Sequence, residues 1–199
     1  MSTLIALDVA LLPPPDVTRR ALDLSASLPP AESQGLRLDP EHLPHVTLTQ
    51  QYVREEELDT AFERVDEVLR GQTPLRLLVT GGGKSGHTVS MTIERTPDLV
   101  ALHEQLMEAL RGVERPDGGP GAFFGGEGRI ADALWVTGFR LKSSFNAFTP
   151  HITLGHATHP PAIEPFAFDA TTVAACHLGR FCSCRKVLRS WTLANPPPR

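Results

Sequence analysis

Pro44-His45-Val46-Thr47-Leu48 returns 106 residues later as Pro150-His151-Ile152-Thr153-Leu154. Each copy reads as the start of a strand. Side chains of a strand alternate between its two faces, so His45 and Thr47 share one face while Val46 and Leu48 take the other. His151 and Thr153 are separated from Ile152 and Leu154 in the same way. An aliphatic face packs into a core, and a His/Thr face is left for a cleft. His-x-Thr alone is weak, since His156-Ala157-Thr158 also fits it. The five-residue agreement, carried twice and half a chain apart, is the signal.

Outward from the motifs, Leu4 to Leu12 is an apolar strand interrupted by Asp8 and stopped by Pro13-Pro14-Pro15. Asp16 is positioned to cap a helix over 17–28. The first motif continues as a strand over 44–52. Residues 55–70 give the clearest helix, with Leu58, Ala61, Phe62, Val65, Val68 and Leu69 on one face and an acidic first turn. Strands over 75–80 and 88–93 flank a Gly81–Gly86 turn. Thr96 caps and Pro97 opens a helix to about Leu110. A Gly-rich loop spans 112–128. Strands are expected over 133–141, 151–155, 167–178 and 187–193, and residues 195–199 form a flexible tail. Short turns and several antiparallel pairs make this α+β with mostly antiparallel sheets, not a doubly wound parallel sheet.

The chain has 199 residues, 41% of them hydrophobic and 21% charged, with 16 Gly and 18 Pro. This is the composition of one globular unit rich in turns, and it excludes disordered and collagen-like chains. No segment has the ~20 apolar residues of a spanning helix. The N-terminus lacks a basic signal-like region, and three cysteines (Cys176, Cys182, Cys184) form no disulfide framework. A reduced, cytoplasmic protein without membrane attachment is expected. Net charge is −4, which argues against a bulk nucleic-acid coat. Residues 1–100 carry 9 basic and 15 acidic side chains, and residues 101–199 carry 10 and 8. No acid follows Asp169, whereas Arg180, Arg185, Lys186, Arg189 and Arg199 do. That basic end either meets an anionic ligand or protects an edge strand.

Two imidazoles and two hydroxyls in one groove suit phosphodiester chemistry. One imidazole takes a proton from the attacking oxygen and the other gives one to the leaving oxygen. The hydroxyls of Thr47 and Thr153 can hydrogen-bond the nonbridging phosphate oxygens.

This duplicated His-x-Thr-Leu motif resembles the two-histidine (2H) phosphoesterase superfamily, and within it the bacterial 2′-5′ RNA ligase-like proteins, or RNA 2′,3′-cyclic phosphodiesterases. Phe148 to Gly155 and the ending with Leu188, Trp191 and Leu193 look like that group. The resemblance implies a single bilobal domain over 1–199 with a pseudo-twofold axis and a central cleft. One lobe would be centred on 45–48 and the other on 151–154. It implies metal-independent hydrolysis of a 2′,3′-cyclic phosphate, on RNA ends or small cyclic nucleotides, to a 2′-phosphomonoester, with reversible 2′-5′ ligation. His45 and His151 would be the acid/base pair, with His45 as acid, and Thr47 and Thr153 would bind phosphate. No cofactor, no obligate protein partner and a monomer are expected. ADP-ribose 1″,2″-cyclic phosphate, 2′-5′ oligonucleotides and a non-catalytic nucleotide-binding role are the alternatives.

Weaker signals surround this site. Phe123 and Phe124, between glycines, are candidates to stack a base, against a plain hydrophobic plug. Cys176-His177 with Cys182-x-Cys184 has no common zinc spacing, and burial is the simpler reading. Gly81-Gly82-Gly83-Lys84-Ser85-Gly86 lacks the spacing of a phosphate loop, which leaves a hairpin turn.

Overall fold

The strand Leu4–Leu12 (β1) buries both of its faces. Leu7, Val9 and Leu11 fill one side, and the small residues Ala6 and Ala10 flank Asp8 on the other. This asymmetry organises the molecule, which a computed structural model describes over residues 3–194. The further strands are Val46–Arg54 (β2), Leu75–Ser85 (β3), Thr88–Ile93 (β4), His151–His156 (β5), Phe166–Ala170 (β6), Thr172–Leu178 (β7) and Cys184–Thr192 (β8). The helices are Pro15–Ser27 (α1), Leu58–Leu69 (α2), Pro97–Leu110 (α3) and Ile130–Lys142 (α4). The chain is α+β, and its strand pairs are antiparallel.

The strands form one sheet in the order β6-β3-β4-β5-β2-β1-β7-β8. The motif strands β2 and β5 lie at its centre and touch at Val46 opposite Ile152. Four strands stand on each side of that seam, in keeping with the pseudo-twofold arrangement that the resemblance implies. Only Thr171 separates β6 from β7, although the first is an edge strand and the second lies near the opposite edge. Two Cα steps span at most ~7 Å, so the sheet must curl until its ends approach.

The face of Leu7, Val9 and Leu11 is the larger core. There β2 adds Val46 and Leu48, β5 adds Ile152 and Leu154, and helices α1, α2 and α3 cover them with Val17, Phe62, Val65, Leu102 and Leu106. The opposite face carries Ala6, Ala10, Ala174 and Cys176, packed by Tyr52, Phe123, Ala133 and Val136. Small residues here leave room for α4 and for the 112–128 segment within the curve. Gly118 lies flat on the Tyr52 ring, where a Cβ would approach ring carbons to 2.3 Å.

Four expectations change. Residues 133–141 are helical, within α4, although Trp, Val, Thr and Phe favour strands. Burial of Asp132, Ala133, Val136 and Phe139 follows helical spacing. The Asp132 carboxylate accepts hydrogen bonds from the Arg129 backbone N–H (2.9 Å) and from the Phe181 N–H (3.1 Å), which pins the helix start. Tertiary packing overrides propensity. The second change is at the glycine run, where β3 continues through Gly81–Lys84 and the turn is Gly86-His87. A bulge between Val79 and Gly81 keeps the ladder with β4. Third, the strand expected over 167–178 breaks at Thr171, where it changes partner from β3 to β1. Fourth, Asp16 is not the cap of α1. Pro14 holds that position and Asp16 lies in the first turn, where its charge still meets the helix dipole. The expected tail, 195–199, lies outside the described residues.

β8 is an edge strand, and its cations are largely spent on acids from other elements. Arg185 meets Glu41 at 3.2 Å and Glu127 at 3.0 Å, and Arg189 meets Asp66 at 2.6 Å. The edge-protecting reading of the basic end is the one this arrangement favours.

Candidate active site

His45 precedes β2 and His151 opens β5, and the two are held alike. His45 Nδ1 lies 2.8 Å from the Leu43 carbonyl, and His151 Nδ1 lies 2.8 Å from the Thr149 carbonyl. A carbonyl only accepts, so Nδ1 carries the proton in both rings. Each Nε2 is thereby left for chemistry, and each ring orientation is fixed by the segment leading into its strand.

Each motif ends in a bulge at its leucine. The β1–β2 register passes from Ala10 opposite Thr47 to Val9 opposite Thr49, leaving Leu48 over. The β4–β5 register passes from Ser90 opposite Thr153 to Val89 opposite Gly155, leaving Leu154 over. Gly155 takes φ 151° there, in the region that favours glycine. A bulge shifts the alternation by one residue. In β2 it turns Gln50 onto the His45/Thr47 face, directly opposite Asp8.

Asp8 is the organising residue that sequence reasoning missed. It is fully buried. Its Oδ2 accepts from Thr47 Oγ1 at 2.8 Å and from Gln50 Nε2 at 2.8 Å, and stands 3.7 Å from His45 Nε2. Gln50 Oε1 in turn accepts from the half-exposed Trp135 indole N–H at 3.0 Å. Burial pushes the Asp8 carboxyl up from its ordinary value, against the lowering effects of His45, Gln50 and Thr47. Hydrogen bonds to a charged group return ~1.5–3 kcal/mol each, a partial offset to a desolvation cost of several kcal/mol. The signal was visible in Leu4–Leu12, where one acid interrupts an otherwise apolar strand.

Among the described residues, the second motif has no such acid. The residue three places after its threonine is His156, where the first motif has Gln50. Burial lowers the His151 pKa most, the Thr149 carbonyl opposes it, and the charge of His45 lowers it further. The last influence shows that the imidazoles sense one another across the seam. The threonines differ as well. Thr47 spends its proton on Asp8, while Thr153 Oγ1 has no hydrogen-bond partner among the described residues.

Phe123 does not reach this site. It is 1% exposed and packs edge-on against Tyr52 at 6.2 Å, so the hydrophobic-plug reading describes it. Phe124 is half-buried against His177 and the Arg185 guanidinium. Phe123→Ala is expected to cost ~3–5 kcal/mol of stability, the usual loss for a core Phe, with little change in KM. Urea unfolding beside steady-state kinetics checks both. The Cys176/His177/Cys182/Cys184 set does not converge as a whole: the Cys184 thiol meets Cys176, but His177 Nε2 bonds the Ala122 carbonyl and Cys182 faces the Asp132 carbonyl.

The curled sheet has counterparts among known proteins. A family model described as 2′-5′ RNA ligase superfamily matches residues 13–178. The chain therefore belongs to this superfamily of two-histidine phosphoesterases. No curated protein matches. Among solved structures, TT0787 of Thermus thermophilus is 20% identical with a TM-score of 0.63, over 96% of this chain and 99% of that one. E. coli LigT in apo form is 17% identical with a TM-score of 0.63, over 98% and 100%. E. coli LigT complexed with 3′-AMP is 18% identical with a TM-score of 0.61, over 96% and 99%. These likenesses establish the fold. No helix among the described residues is long and apolar enough to cross a membrane.

Proposed function

We propose that the protein hydrolyses a 2′,3′-cyclic phosphate, on RNA ends or small cyclic nucleotides, to a 2′-phosphomonoester without a metal. The observation that carries this reading is the matched pair of imidazoles, each with Nδ1 tied to the carbonyl two residues earlier and Nε2 left for chemistry. Such a pair can run both proton transfers of an in-line displacement.

In this mechanism, neutral His151 Nε2 takes a proton from water as the water oxygen bonds phosphorus. The P–O3′ bond breaks, and O3′ takes its proton from His45 Nε2. The two rings then exchange protons with solvent and reset. Asp8 gives the protonated His45 ring a fixed counter-charge at 3.7 Å, which supports His45 as acid. The depressed pKa of His151 supports it as base. Thr153 donates to a nonbridging phosphate oxygen, and Thr47 acts through Asp8. With a 5′-hydroxyl in place of water, the same transfers join it to the phosphorus as O3′ leaves, which is 2′-5′ ligation; run backwards, they cleave that 2′-5′ linkage to the cyclic phosphate.

Phosphorus NMR of 2′,3′-cyclic AMP incubated with protein and EDTA is the test. A 2′-phosphate signal is expected. No turnover, a 3′-phosphate, or loss of activity in chelator refutes the reading.

The kcat/KM profile is expected to be bell-shaped, since one ring must be neutral and the other protonated. Its acid limb belongs to His151. Because that pKa is lowered, activity should persist below the ordinary histidine value of ~6.5 and fall only at more acid pH. An acid limb above that value contradicts His151 as base.

A further inference from the structure

Asp8, His45 and Cys184 come from β1, from the lead-in to β2 and from β8. An isolated bridge between Leu43 and Cys184 draws the last two elements together. One donor atom from each residue lies within 4.8 Å of the other two. From this geometry we propose that the three side chains form a binding site for a thiophilic divalent cation of the zinc class, and that the cation inhibits the enzyme by occupying His45 Nε2.

The donors are a nitrogen, an oxygen and a sulfur, the set zinc takes. Two of them are already oriented from behind. His45 Nδ1–H is bound to the Leu43 carbonyl, so the neutral ring presents a lone pair at Nε2. Asp8 Oδ2 is held by Thr47 and Gln50. Outer partners of this kind fix the orientation and basicity of metal ligands. A second observation points to a missing partner, since Asp8 Oδ1 is buried and makes no hydrogen bond. Ligand bonds of about 2.0–2.3 Å in a tetrahedron place donors about 3.5 Å apart. The approach of His45 Nε2 to Asp8 Oδ2, 3.7 Å, is close to that spacing, and Cys184 lies within 4.8 Å of both.

Sulfur in the set favours zinc-like ions over magnesium or calcium. Binding releases the Cys184 thiol proton and leaves a fourth position for water or a phosphate oxygen. His45 Nε2 cannot deliver a proton while it ligates metal, so the site is inhibitory, and the hydrolysis proposed above stays metal-independent.

Cobalt serves as the probe. Reduced, chelator-stripped protein is titrated with Co²⁺ and then with Zn²⁺. A thiolate-to-cobalt charge-transfer band and tetrahedral visible bands are expected, both abolished by stoichiometric zinc. The charge-transfer band should vanish in Cys184→Ala and persist in Cys182→Ala. Asp8→Asn keeps the thiol and should bind at least ~10-fold more weakly. Absence of the band in the wild type, its survival in Cys184→Ala, or unchanged affinity in Asp8→Asn overturns the site. The Asp8→Asn result decides the matter even if Cys184→Ala fails to fold. With turnover established, zinc should inhibit and EDTA should restore activity; bound zinc without inhibition overturns the blocking role. The spectra do not depend on turnover, so failure of the phosphodiesterase reading is seen separately.

Discussion

His45→Ala and His151→Ala are each expected to lower kcat by at least ~10²-fold, the lower end for a positioned acid or base, while thermal melting stays within a few degrees of the wild type. Each ring is partly exposed and makes one hydrogen bond, to the segment leading into its strand, so its loss leaves the sheet paired. The roles separate when the leaving group is changed. A substrate whose 3′-side leaving oxygen departs without protonation should recover most of the rate in the His45 variant and little in the His151 variant, because the latter still cannot activate water. Full activity in either alanine variant on 2′,3′-cyclic AMP removes the acid/base assignment, and rescue of the His151 variant alone reverses it.

Asp8→Asn is expected to lower kcat by about 10²-fold, the scale of one preorganised transition-state contact, and to make the protein more stable near neutral pH. The kinetic loss follows from removing the charge beside His45 and the acceptor that holds Thr47 and Gln50. The stability gain follows from the raised pKa of the buried carboxyl. A group whose folded pKa exceeds its unfolded value binds more protons when folded. Its favourable contribution is complete below ~3.9, the unfolded carboxylate value, and is lost as pH climbs through the folded pKa. The asparagine carries no such penalty. The stability difference between Asp8→Asn and wild type should therefore widen as pH rises from about 4, the unfolded carboxylate value, as read by urea unfolding. A difference that stays flat or shrinks over that range shows that Asp8 is not strained by burial, and an unchanged kcat shows that it does not serve the site.

How much of the molecule was legible in the sequence depends on the range of each signal. His45, Thr47, His151 and Thr153 were legible because strand alternation fixes which side chains share a face within one motif, and that rule needs no knowledge of neighbours. The helices 58–69 and 97–110 were legible for the same reason, through apolar periodicity and a Thr-Pro start. Three things depended on tertiary structure. Residues 130–142 became a helix because Asp132 locks its start and the small-residue face of the sheet accepts Ala133 and Val136. The run over 166–178 split because a curled sheet offers it two different partners. Asp8 acquired its place only through register: the bulge at Leu48 turns Gln50 to face it, and burial gives its charge weight. The sequence by itself determined two matched imidazole–hydroxyl strands and hence the class of chemistry. The tertiary structure alone decided that they meet as neighbours at the centre of one sheet, and that only the His45 side has an acid beside it. Charge asymmetry between two equivalent motifs comes from a third strand, and no local pattern within either motif encodes it.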